Sequence, residues 1–179
     1  MNTAVNLALR YDRRSIVLHW LTVALVVALW SFGQTIDFFP KGDARIAARS
    51  LHISLGVALA IVLGCRIWWR LGAGTRLPPA GVGWLDTVAT LAHKTLYVLL
   101  VSTVLLGVAN AWVRGDTIFN LFKIPAFDPG NRALTQSVED WHALSANTLL
   151  IVAAFHTAAA LVHHFVFEDD VLRRMLIRR

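Results

Sequence analysis

Seven histidines stand in a chain of 179 residues that carries a single cysteine, and four of them have the spacing for metal chemistry. His156 follows His142 by about four helical turns. On an α-helix that spacing rotates the second imidazole by only about 40° and sets it about 21 Å further along the axis. His19 lies near the start of the first long apolar stretch, and His52 opens the second at its opposite end. The pairs expected are therefore His52 with His142 and His19 with His156, at two depths. Two neutral imidazoles facing each other across a helical bundle are an axial set for haem iron. Zinc prefers tetrahedral clusters with Cys or carboxylate partners, and no acid stands near these pairs. Cys65 is expected to serve packing, and without a Cys-x-x-Cys-His run no haem is held covalently.

Other residues fall around these pairs. Arg66 follows His52 by the same interval that separates His142 from His156, and so shares its face at the depth of the second pair. Its anion would be a haem propionate; the plain alternative is snorkelling to lipid headgroups. Arg70 and Lys94 have weaker claims to the same cluster. At the opposite end, Lys41, Arg45, Arg49, Arg114 and Lys123 suit propionates or a small anion, although six acids share that side and a solvated mixed surface is the default. Ala146, Leu149 and Ala153, with Gly56 one turn after His52, would let flat macrocycles approach. His163 competes with His156, being seven residues on and near the same face; turn count from His142 favours His156. His163 and His164 then read as interfacial, or as neighbours of a propionate or quinone. His93, beside Lys94, reads as an interfacial anchor, and Trp68, Trp69, Trp84, Trp112 and Trp141 as belt residues.

The elements that position these side chains follow from composition. Hydrophobic residues make up 56% of the chain and charged ones only 16%, well below the roughly 25% usual in soluble domains. Disorder, a collagen repeat and a disulfide scaffold are excluded. Four apolar stretches, about 15–35, 51–69, 91–113 and 141–167, approach the roughly 20 residues that cross a bilayer. In lipid the backbone must bond within its own segment, so these are expected as helices, with nothing alternating at a period of two. The first is too long, and lacks a small-x-small site, for a cleavable signal. The expected class is an all-α membrane protein: one domain over 1–179, a four-transmembrane-helix bundle among lipid. The segment 115–140, with Phe119, Leu121, Phe122 and Phe127, is expected along the membrane interface.

The net charge of +6 resolves into topology. Eleven of the 17 basic residues, Arg178 and Arg179 among them, fall at the end that holds both termini. That end is expected in the cytoplasm, and nucleic-acid binding is not expected.

With these residues in place, the chain resembles the prokaryotic cytochrome b561 family of small di-haem membrane proteins. The resemblance rests on His19-Trp20, Phe38-Phe39-Pro40 before His52, Arg114-Gly115, Trp141-His142 with Asn147, and His156 followed by Ala158-Ala159-Ala160-Leu161 and His163-His164. It runs from Tyr11 to Arg174. It implies a four-helix bundle in the bacterial inner membrane with two haem b groups on His19, His52, His142 and His156. It also implies electron exchange between a quinone and a second partner. One type in the family oxidises superoxide at the outer surface and reduces ubiquinone, with a positive funnel that includes lysines; Lys41 and Lys123 stand where such lysines would. The alternative is a haem-bearing anchor that relays electrons for a peripheral dehydrogenase or cytochrome c, as a redox partner protein. A third reading, a haem-free ion transporter with a histidine relay, would give colourless folded protein.

Overall fold

A computed structural model of the chain describes residues 10–78 and 83–177; Arg178 and Arg179, used above for orientation, lie outside them. Four helices form the molecule: α1 Arg13–Gly33, α2 Asp43–Leu71, α3 Trp84–Arg114 and α4 Arg132–Phe165. Each is long and apolar enough to cross a membrane. They run up and down in turn, with α1 packed on α2 and α3 on α4, while contacts between these two pairs are sparser. Most of their large apolar side chains face outward, as a lipid solvent allows.

Three helices begin well before the apolar stretches that mark them in the sequence: α2 at residue 43, α3 at 84 and α4 at 132. Hydropathy reports the part of a helix in hydrocarbon, whereas backbone hydrogen bonding continues into the headgroup layer. The added turns carry charge, including Arg45, Arg49, Asp86 and Glu139. At the end that holds both termini, a 3-10 turn at Leu172–Met175 lies against the start of α1. There the Tyr11 amide donates to the Arg174 carbonyl, and the Trp20 indole donates to that of Met175.

Asp12 ties that end together. As N-cap of α1 it accepts from the Ser15 amide at 2.9 Å and the Ser15 hydroxyl at 2.7 Å. It also accepts from the Trp69 indole of α2 and the Thr75 amide beyond it. Burial alone would raise its carboxyl pKa, but these donors outweigh it and hold the group well below the usual carboxylate range. Asp12→Ala is expected to cost about 1–2 kcal/mol. Because the folded-state pKa is depressed, the carboxylate's contribution is complete above about pH 4 and fades as the pH falls below it. Thermal melts of the two proteins, apart at neutral pH, should converge in acid; an unchanged gap would contradict this.

The opposite end carries a small antiparallel hairpin, β1 Thr117–Ile118 and β2 Phe122–Lys123, in the segment expected to follow the interface. Gly115 ends α3 in the left-handed region (φ 65°), and a Cβ there would stand 2.9 Å from Ala126 Cβ. The hairpin is fastened to α2 by Ser50, which is fully buried. Its hydroxyl donates to the Ile46 carbonyl at 2.7 Å and accepts from the Phe119 amide at 2.8 Å. The Asn120 amide reaches Asp43. This is the one departure from an all-helical chain among the described residues, and it lies beyond the hydrocarbon, where water can satisfy the edges of a short ladder.

Candidate haem sites

The helices place chemistry on two floors. Stepping about four turns along each helix pairs His19 with Gly33 on α1, His52 with Arg66 on α2, His93 with Gly107 on α3, and His142 with His156 on α4. The midpoints are Val26, Leu59, Leu100 and Leu149, apolar throughout. Three of these midpoints are buried, and Leu100 and Leu149 join Leu63 in the core cluster, with Val26 packed against it. An apolar layer thus separates a hairpin-end floor of His52, His142, Gly33 and Gly107 from a terminal-end floor of His19, Arg66, His93 and His156.

On the hairpin-end floor the expected pair is brought together. The His52 and His142 rings stand edge-on to one another with centroids 6.3 Å apart and planes at 85°. Two metal–nitrogen bonds of about 2 Å each, plus the two ring radii, fill such a gap. His142 Nδ1 donates to the Thr103 carbonyl of α3 at 3.1 Å. A carbonyl can only accept, so Nδ1 carries the proton and Nε2 keeps its lone pair, the tautomer an iron ligand needs. The two glycines make this possible. A Cβ at Gly107 would stand 3.1 Å from His142 Cε1, and one at Gly33 would stand 3.3 Å from His52 Cε1.

Above this pair lie Arg49, Arg114 and Asp116. Arg114 interacts electrostatically with both imidazoles. Its Nη2 is bonded to Asn110 at 2.8 Å and paired with Glu139 at 3.7 Å. The Nε atoms of Arg49 and Arg114 are buried without a hydrogen-bond partner, as is His52 Nδ1. Orphaned guanidinium donors beside a paired-imidazole gap are the chemistry of a carboxylate-bearing prosthetic group. Lys41 is exposed and lines a groove of about 310 Å³ with Arg45 and Arg49. Lys123 is exposed on β2, and Arg45 is occupied by the Phe39 carbonyl and Asp37.

The terminal-end floor is built differently. Arg66 Nη2 donates to His19 Nδ1 at 3.1 Å and its guanidinium lies 5.2 Å over the Tyr97 ring. Arg66 therefore turns into the bundle and does not snorkel. His156 packs edge-on against His93, with centroids 5.1 Å apart. His93, which reads in the sequence as an interfacial anchor, is exposed and stands beside a candidate ligand. All four groups interact electrostatically. Where the hairpin-end floor has glycines against its imidazoles, this floor has Arg66 against His19 and His93 against His156. His163 Nδ1 is bonded to Asp169, which the turn after α4 brings back to it. Among the described residues, no three His, Cys, Asp or Glu side chains gather as a zinc site requires.

Histidines gathered at two depths of a four-helix membrane bundle are what the comparisons with known proteins bear on. A model of the prokaryotic cytochrome b561 family matches residues 10–177. The chain belongs to that family. It is a multi-pass protein of the bacterial inner membrane, a b-type haem protein of electron transfer. Its relatives include a probable superoxide oxidase CybB of Yersinia pestis, 28% identical over 95% of this chain and 97% of that one. Cytochrome b561 homolog 1 of Escherichia coli is 29% identical over 95% and 98%. A cytochrome b562 of Cereibacter sphaeroides is 29% identical over 93% and 94%.

The residues of this b561-family chain that sequence reasoning did not single out are Thr103, Gly33, Gly107, Tyr97 and Asp116. The glycines were legible in one respect: each lies the same four-turn interval from a histidine on its own helix. Thr103 had no such signal, because its backbone oxygen makes the contact.

Proposed function

We propose that the chain binds two haem b groups, His52 and His142 holding one and His19 and His156 the other, and that it moves electrons from superoxide to ubiquinone. The observation that carries this reading is the His52–His142 pair, with His142 set in its ligating tautomer by Thr103. Bound there, haem supplies one-electron redox chemistry; the protein supplies orientation, burial and charge. Arg49 and Arg114 receive propionates at one floor; at the other, Arg66 exchanges its bond to His19 for a propionate, which lets His19 Nδ1 carry the proton and leaves Nε2 free to ligate. The hairpin end faces the periplasm and both termini face the cytoplasm, in line with the basic residues at the terminal end. Lys41 and Lys123 raise the local positive potential near the hairpin-end pair, which steers a small anion.

The test is stopped-flow haem reduction by superoxide, with and without ubiquinone, on protein of measured haem content. Rapid reduction, with turnover that needs quinone, is expected. Lys41→Ala should slow it several-fold at low salt and little at high salt. Haem that superoxide leaves oxidised would overturn the donor, and stable co-purification of a soluble redox subunit would point to an anchor.

A further inference from the structure

Asp116 is a carboxylate that the reading above leaves without a task. It lies just past Gly115, with its side chain only 10% exposed. The charged groups facing it are Arg49 from α2 at 3.9 Å, Arg114 from α3 at 3.8 Å, and Glu139 from α4 through Arg114. Both arginine distances exceed hydrogen-bonding range. The carboxylate therefore feels two cations without being pinned by either. Its backbone is fixed independently: the amide donates to the Ala111 carbonyl and the carbonyl accepts from Ile124. An anion accepted by the orphaned Nε groups of Arg49 and Arg114 would share the same two guanidiniums with Asp116. Two negative groups so placed favour retention of one proton between them.

We propose that Asp116 is a redox-linked proton site of the His52–His142 floor. When that floor gains one electron from its one-electron donor, the Asp116 carboxylate gains one proton from water on the hairpin side, forming an O–H bond. When the electron leaves for the quinone, that bond breaks and the proton returns to the same water. Net charge at the buried site is then unchanged in each step, which lowers the cost of placing an electron there. Burial raises the Asp116 carboxyl above its ordinary range, Arg114 and Arg49 lower it, and Glu139 raises it. Arg114 links the carboxylate to the ligands, since it also interacts with both imidazoles. The proposal rests on the haem reading of His52 and His142.

The experiment is a spectroscopic redox titration of the haem-loaded protein over about pH 5 to 8, with the hairpin-end haem identified by its loss in His52→Ala. In the native protein its reduction equilibrium should fall with rising pH, approaching tenfold per pH unit where one proton follows one electron. Asp116→Asn should flatten that slope, matching the native protein in acid and becoming easier to reduce in alkali; Asp116→Glu should restore the slope. Glu139→Gln, at a half-exposed helix position, should move the sloping region to lower pH and keeps the test open if Asp116→Asn fails to fold. An unchanged slope in Asp116→Asn, or no slope in the native protein, overturns the proposal. Undiminished haem in His52→Ala overturns the ligand reading, and the proposal with it.

Discussion

His142→Ala protein is expected to carry one haem per chain where two are expected of the native protein, with the surviving haem still low-spin. The reason is the separation of the floors. His142 contributes only to the hairpin-end pair, and the apolar layer around Leu59, Leu100 and Leu149 isolates it from His19 and His156. α4 has other ties to its neighbours, since Ser145 bonds Thr103 and the Trp30 indole donates to Asn147. The helix should therefore stay in place while the ligand is lost. Reduction by a donor from the hairpin side should fall at least tenfold. The count is read from a haem-extraction assay and the spin state from electron paramagnetic resonance. Loss of both haems with the fold intact would show that the floors are not independent.

Gly107→Val is expected to remove most of the same haem without touching a ligand. A Cβ at position 107 would already stand 3.1 Å from His142 Cε1, closer than most real Cβ contacts. The two further methyl groups of valine must push the imidazole aside, and with it the bond from His142 Nδ1 to the Thr103 carbonyl. Helix propensity cannot explain such a loss, because valine is a better helix former than glycine. Gly64→Ala is the control: nothing lies within 4 Å of a Cβ there, so its haem content should match the native protein. Equal haem content in Gly107→Val and native protein would show that the close approach of α3 does not position His142.

Much of this arrangement is legible in the sequence. The spacing of His142 and His156, with His52 and Arg66 on a parallel stripe, already implied two depths. What depth could not supply was the neighbour across the bundle. His93 sits next to Lys94 near a helix start, which is how an interfacial anchor reads; only helix packing sets it against His156. Arg66 had two equal readings, a propionate partner or a snorkelling headgroup contact, and its bond to His19 turns it into the bundle and away from the headgroups. Thr103 was invisible because a backbone carbonyl has no residue preference. The hairpin was missed because strands of two residues have no period to detect, and its anchor Ser50 resembles any helical serine. Helix starts were placed late because hydropathy ends where water begins, whereas a helix does not.

Four histidines, in two bis-imidazole sites, are proposed to hold two haems. The most direct measurement is the haem-to-protein ratio of the purified native chain, with the spin state read on the same sample. Two haems per chain, both low-spin, are the expected result; a single haem, or a high-spin signal from either, would contradict the assignment of His19, His52, His142 and His156.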